Sequence, residues 1–197
     1  MQPSLVIRKI NKFERKMISD SISYFNEDQN NILDKLNKKI YVLIRKGESK
    51  MVYPKLFYLS KEMIKTLNII EIKHDIVSIG TYLGFFKKGR FILSLEGCEL
   101  LIDLNFISEK FKYYVNERAE KSILYGNAIY KSMLRTPSNI LNNRLVYGDL
   151  IFLFNIDNCL ISINLLIQDS NIIPGLNDNA IIANNLIDKG YYLRMEQ

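Results

Sequence analysis

Residues Ala119–Arg135 read A-E-K-S-I-L-Y-G-N-A-I-Y-K-S-M-L-R, and the interpretation of this stretch decides the fold. Its first seven residues predict a helix from Ala119 to Tyr125 that buries Ile123 and Leu124. Gly126 stops that helix, because glycine enters the left-handed conformation after a helix without a Cβ penalty. From Asn127 the pattern turns extended and runs into Met133 and Leu134. Lys121, Lys131 and Arg135 leave this short unit as cations, with Arg118 just upstream. A glycine corner ringed by cations suits a phosphate backbone, which needs donors and positive charge at close approach. An ordinary helix–turn–strand with solvated lysines has the same appearance, and these residues alone do not separate the two.

Downstream of this unit the texture is of short strands divided by turns. Leu145–Asn155 and Leu160–Gln168 flank the turn Ile156–Cys159, and Ala180–Ile187 and Tyr191–Met195 follow. With Lys112–Val115 just upstream, this pattern predicts a small closed or nearly closed barrel. Strand alternation sets Tyr130 opposite Ile129 and Met133, so Tyr130 is the aromatic expected to face solvent.

Upstream, helices and strands alternate. Val6, Ile10, Phe13 and Met17 recur at helical spacing, with Arg8, Lys12, Arg15 and Lys16 on another face. Such a basic face touches RNA in some proteins and is more often simply solvated. Asn26, followed by Glu27, Asp28 and Gln29, signals the cap of a second helix running to Lys38. Ile40–Arg45 and Met51–Leu59 read as a hairpin across Lys46-Gly47-Glu48-Ser49, and Pro54 implies an edge position or a bulge. Ser60 caps a short helix carrying Met63, Ile64 and Leu67. Ile76–Phe86 and Arg90–Leu95 are strands joined across Lys87-Lys88-Gly89, and Glu96–Leu104 closes as a helix. The expected architecture is an α/β (α+β) N-terminal domain with a mainly antiparallel sheet and flanking helices, over residues 1–108. Residues 109–197 form the barrel-like second domain, and no Gly/Ser- or Pro-rich linker separates the two.

The net charge of +6 is unevenly spread. Residues 110–144 hold 7 Lys and Arg against 2 Asp and Glu, whereas residues 145–197 hold 2 against 6. A polyanion is drawn to the first of these segments and repelled by the second. Charges or turn residues interrupt every apolar run before it reaches membrane-spanning length. The N-terminus shows no secretory pattern. Cys98 and Cys159 have no metal or redox spacing, which fits a reducing compartment.

Catalytic templates lack their parts. His74, the one histidine, sits between Lys73 and Asp75 in a polar turn, where a solvated side chain is the ordinary reading. HExxH, GxSxG, Walker and GxGxxG patterns are missing. Asp149 and Asp188 lie beside glycine turns, so turn formation accounts for them. No catalytic residue, metal site or cofactor is expected. RNA binding has positive content instead: Arg118, Lys121, Lys131 and Arg135 neutralise phosphates, Tyr125 and Tyr130 stack on unpaired bases, and Asn127 reads a base edge or ribose hydroxyl. Both tyrosines serve a core equally well.

Ala119-Glu120-x-Ser122-x-Leu124-Tyr125-Gly126-Asn127, followed by Lys131-Ser132, resembles the signature opening the PUA domain in the Nip-seven family, the 60S ribosomal-subunit biogenesis factors and their archaeal relatives. Leu56-Phe57-Tyr58-Leu59-Ser60-x-x-Met63-Ile64-Lys65 and Val77-Ser78-Ile79-Gly80-Thr81-Tyr82-Leu83-Gly84-x-Phe86 resemble that family's pre-PUA segment. Asp188-x-Gly190-x-Tyr192-x-Arg194 resembles its C-terminal strand. The resemblance implies a pre-PUA domain followed by a PUA-type β pseudo-barrel. It implies a non-catalytic RNA-binding role in large-subunit assembly and pre-rRNA processing, beside other assembly proteins. The RNA-binding set is then Arg118, Lys121, Tyr125, Gly126, Asn127, Tyr130, Lys131, Ser132, Arg135 and Arg194, with Lys87, Lys88 and Arg90 from the first domain. The compartment is the cytoplasm if the chain is archaeal and the nucleolus if it is eukaryotic, with the archaeal side favoured. Two departures stand out. Cys159-Leu160-Ile161-Ser162-Ile163-Asn164 replaces a glycine-containing turn, and Asp169-Ser170-Asn171-Ile172-Ile173 replaces basic residues, leaving an apolar or acidic surface there. A protein adaptor working through Ile172–Leu176, or an accessory to RNA modification, are the alternatives.

Overall fold

Five stretches of β-branched and aromatic residues in the first half pair into one sheet. They are β1 (Ser4–Lys9), β2 (Ile40–Lys46), β3 (Lys55–Tyr58), β4 (Thr81–Lys87) and β5 (Arg90–Leu93), in that spatial order. Every neighbouring pair is antiparallel. The computed structural model describes residues 4–26, 36, 39–46, 53–69, 76, 78–135, 144–191 and 194. The chain divides into two compact units, Met1–Phe106 and Ile107–Gln197.

In the first unit Tyr41, Leu43, Phe57 and Leu59 form a buried cluster, against which Leu5, Ile7, Ile64 and Leu67 pack. Ile64 and Leu67 come from α2 (Lys61–Ile69), whose Met63 N–H donates to Ser60 Oγ at 3.2 Å. α1 (Lys12–Ile22) buries Ile18 and Ile22 and lies against β5. α3 (Leu95–Asp103) lies against β4, closely enough that a Cβ on Gly97 would stand 2.5 Å from the Leu83 carbonyl oxygen. The Lys88–Gly89 turn between β4 and β5 has φ of 49° and 74°, the mirror-type turn suited to a two-residue hairpin.

The N-terminus departs from the expected helix on Val6, Ile10, Phe13 and Met17. Val6 belongs to β1, opposite Ile44, and the helix begins only after Asn11. Asn11 Oδ1 accepts from Glu14 N–H, and Glu14 Oε2 accepts from Asn11 N–H, both at 2.8 Å. This capping box outweighs the apolar periodicity and leaves Phe13 outside. Of the two alternatives for Pro54 the edge position fails, since the residue precedes β3, which is central, while β3 carries a register shift against β4 between Leu56 and Phe57; the Pro54 carbonyl accepts from Phe86 N–H at 3.0 Å. The expected helix to Lys38, the Lys46–Ser49 turn and His74 lie largely or wholly outside the described residues.

The second unit holds β6 (Lys112–Tyr114), α4 (Glu117–Leu124), β7 (Ile129–Tyr130), β8 (Leu150–Phe154), β9 (Leu160–Leu166) and β10 (Ile181–Asp188). Its sheet runs β6-β8-β9-β10-β7, with β6 parallel to β8 and the other pairs antiparallel. The two ends curl together. Val115 bridges Leu134, Asn116 N–H donates to Met133 O at 2.9 Å, and Arg135 N–H donates to Tyr114 O at 2.8 Å. β8 and β9 are buried on both faces, and their near-continuous apolar runs reflect it.

Three local expectations change here. Leu145–Asp149 is a turn rather than strand, closed by Asp149 Oδ2 accepting from Val146 N–H at 2.8 Å, with Gly148 at φ 92°. Between Asn127 and Leu134 only Ile129–Tyr130 is strand, since Lys131–Met133 forms a 3-10 turn. Tyr191 and Arg194 lie in a helical turn rather than a strand, with Arg194 N–H donating to Gly190 O at 3.2 Å.

Candidate nucleic-acid interface

α4 is positioned from both ends. Asn116 Oδ1 accepts from Ala119 N–H at 3.0 Å, while its Nδ2 donates to Ser132 O at 2.9 Å, so one side chain caps the helix and ties it to the following segment. Ala119 and Ile123, four residues apart, are the buried face. Leu124, expected in the core, is half-buried. Tyr125 caps the C-terminus, Gly126 follows with φ 84°, and Gly126 N–H donates to Ile123 O at 2.8 Å. Asn127 then folds back, its Nδ2 donating to Ser122 Oγ at 3.0 Å.

Beneath this corner lies an ion pair whose carboxylate is buried. The Asp188 side chain is 1% exposed and accepts from Arg194 Nη1 at 2.9 Å, Arg194 Nη2 at 2.8 Å and Gly190 N–H at 2.8 Å. Arg194 Nη1 also donates to Leu124 O, the last carbonyl of α4. Hydrogen bonding to the Asp188 carboxylate raises the pKa of the guanidinium further, so it stays charged. Two glycines admit this arrangement. A Cβ on Gly190 would stand 2.0 Å from Leu124 O, and one on Gly126 would stand 3.1 Å from Arg194 Nη2.

α4 stands between two concavities. One, of about 700 Å³, is lined by Glu117, Lys121, Leu124, Tyr125, Lys189 and Gly190, among others. The other, of about 620 Å³, is lined by Asn116, Arg118, Ser122, Ser132 and Met133, among others. Arg118, Lys121 and Arg135 are exposed, and among the described residues no ion pair engages them. Tyr125 is 64% exposed, whereas Tyr130 is half-buried beside a fully buried Ile129. The solvent-facing aromatic is therefore Tyr125, not Tyr130, because Tyr130 is held in β7 opposite Ile181.

Two of the expected cations have other work. Lys131 Nζ donates to Pro174 O at 3.0 Å and to Leu176 O, lies 3.7 Å from Asp178 Oδ1, and leaves its side chain only 22% exposed. It braces the 174–178 loop. Arg194 clamps the end of α4. Ser132 is exposed, with its N–H donating to Asp178 O at 3.0 Å. Lys87, Lys88 and Arg90 are exposed on the hairpin of the other unit, Lys87 Nζ lying 5.5 Å from the Tyr53 ring centroid. Of the two segments expected to form an altered surface, the first is interior apart from Cys159, with Leu160–Asn164 buried in β9, whereas Asn171 and Ile172 of the second are exposed. Asp169 is occupied in holding Tyr147 N–H at 2.7 Å. Sequence reasoning missed Asn116, although an asparagine ahead of Glu117 and Glu120 is a legible cap signal. It also missed Lys189, which sits in an acidic tract that hid it.

Residues 7–95 match the family model described as NIP7/UPF0113, pre-PUA domain, and residues 111–197 match the UPF0113 PUA domain. The chain belongs to the NIP7/UPF0113 family. Among NIP7/UPF0113 relatives, the UPF0113 protein of Archaeoglobus fulgidus is 27% identical over 98% of this chain and 97% of its own length. A 60S ribosome subunit biogenesis protein NIP7 homolog of Dictyostelium discoideum is 26% identical over 82% of this chain and 88% of its own. A conserved PUA domain protein from Thermoplasma acidophilum superposes with a TM-score of 0.57 at 17% identity, covering 97% of this chain and 99% of that one. A PUA domain protein from Aeropyrum pernix superposes at 0.61 with 12% identity, covering 95% and 88%. These two likenesses concern the fold, a pre-PUA α/β unit followed by a PUA-type curled sheet.

Proposed function

We propose that this NIP7/UPF0113 chain is a non-catalytic RNA-binding factor of large ribosomal subunit biogenesis and pre-rRNA processing, working beside other assembly proteins. The names of its eukaryotic relatives support the process, and the PUA domain, taken as residues 109–197 after a pre-PUA domain of 1–108, supports the ligand. The observation that carries the reading is α4 itself. It projects Arg118 towards one concavity and Lys121 towards the other, and ends on an exposed aromatic ring. In this reading a single strand runs along α4, from the Arg118 end to Tyr125. Arg118, Lys121 and Arg135 neutralise its phosphates, a base stacks on Tyr125, and Asn127 and Ser132 meet base edge or ribose hydroxyls. Lys131 and Arg194 shape this surface rather than touch the strand. Lys87, Lys88 and Arg90 are a secondary contribution.

Arg118→Glu with Lys121→Glu tests this by fluorescence anisotropy on single-stranded RNA. The expected result is a loss of affinity together with a fall of about 1.4 in the slope of log K against log salt, since each single-strand phosphate contact contributes about 0.7. Unchanged affinity and slope would refute it. A second reading, a protein adaptor, draws on one feature. Val146 and Tyr147 are 54% and 69% exposed and Ile172 is 45% exposed, in loops joined by Ser170 N–H donating to Leu145 O at 2.9 Å. That reading holds if the double variant keeps its RNA affinity while Ile172→Asp loses an assembly partner.

A further inference from the structure

We infer that the N-terminal unit carries a second contact for single-stranded RNA, on the outer face of α1 around Phe13. Phe13 is 70% exposed, more than Tyr125, although it stands in the first turn of a regular helix. The cause is local. The Asn11–Glu14 capping box starts the helix at Lys12, which turns Ile18 and Ile22 inward and leaves the phenyl ring in water.

Cations flank this ring along the chain. Lys9 ends β1, Lys12 precedes Phe13, and Lys16 follows three positions on, the spacing of neighbours on a helix surface. All three are exposed, and among the described residues no ion pair engages them. The one carboxylate in the same turn is already spent. Glu14 Oε1 and Oε2 accept from Arg8 Nη2 and Nη1 at 2.7 and 2.8 Å. Asp20, a further turn along, marks the far limit of the patch. An exposed ring beside exposed lysines fits a polyanion with planar units, because phosphates meet the lysines while a base lies on the phenyl face. An acidic peptide would meet the cations but leave the ring without a planar partner. This contact stands on observations separate from those at α4.

The test uses the full chain and single-stranded oligoadenylate. Phe13→Ala weakens binding about fivefold or more with an unchanged salt slope, as expected for loss of one stacked base, and Phe13→Tyr retains it. Lys12→Glu with Lys16→Glu lowers the slope by about 1.4. Phe13 lies outside the core, so the urea midpoint of Phe13→Ala should match that of the unaltered chain. If these variants bind as the unaltered chain does while Arg118→Glu/Lys121→Glu binds worse, the α1 contact is refuted and the reading at α4 stands. The opposite pattern removes the α4 reading and keeps this one. A purely protein-docking role for Phe13 would also leave RNA affinity unchanged, and so would refute the inference.

Discussion

At the scale of single residues, the corner after α4 depends on atoms that are missing. Gly190 needs no special φ; it needs space, because a methyl group there would press into the Leu124 carbonyl at 2.0 Å. Gly190→Ala should therefore destabilise the chain by about 2 kcal/mol, in the range of overpacking costs, as read by urea denaturation. Gly175 is the control, since a Cβ there meets nothing within 4 Å, and Gly175→Ala should change stability by less than about 0.5 kcal/mol. Arg194 enters the expected RNA-binding set through the family resemblance, and in the structure the buried Asp188 carboxylate holds it in a bidentate pair. The same holds for Lys131, whose ammonium satisfies the loop carbonyls of Pro174 and Leu176.

Both α1 and α4 owe their start to an asparagine, and the caps decide which side chains face water. At α1 the cap is coupled to charge. Hydrogen bonding from Arg8 lowers the Glu14 pKa first of all, with the Asn11 backbone adding to it against the cost of burial. A carboxyl depressed in the folded state stabilises fully above its ordinary value of 4.5 and loses that contribution as pH falls through the lowered one. The urea midpoint of the unaltered chain should therefore drop with acidification in that window, and Glu14→Gln should flatten that part of the curve. A midpoint that falls equally in both proteins would place the acid sensitivity elsewhere. At α4 the cap also binds Ser132 O, so the helix and the segment after β7 move together as one surface.

At the scale of the whole molecule, the described residues form two sheets of five strands that arise from different pairing rules. The first is a meander in which each strand meets its successor, while the second closes on itself through the Val115–Leu134 bridge. Each unit buries its own large side chains, Phe57 and Leu59 in the first and Phe111, Phe152 and Ile123 in the second. Residues 107–197 expressed alone should accordingly fold cooperatively, with a sheet signal in circular dichroism, and retain the α4-dependent part of RNA binding. A fragment that remains unfolded would show that its core needs the first unit.

Much of the architecture was readable along the chain. β-Branched runs, glycine corners and capping signals marked the β2–β3 and β4–β5 hairpins, the strands at Leu160 and Ala180, and the helix ending at Gly126, because these features act within a few residues of each other. Other outcomes depended on distant partners. Val6 pairs with Ile44, Lys131 reaches Leu176, Arg194 reaches Leu124 and Asp188, and Tyr130 lies against Ile181. Periodicity records which residues are apolar and where turns fall; whether a cation is free or spent depends on which acceptors the chain's return brings beside it, and that was decided by the tertiary fold alone.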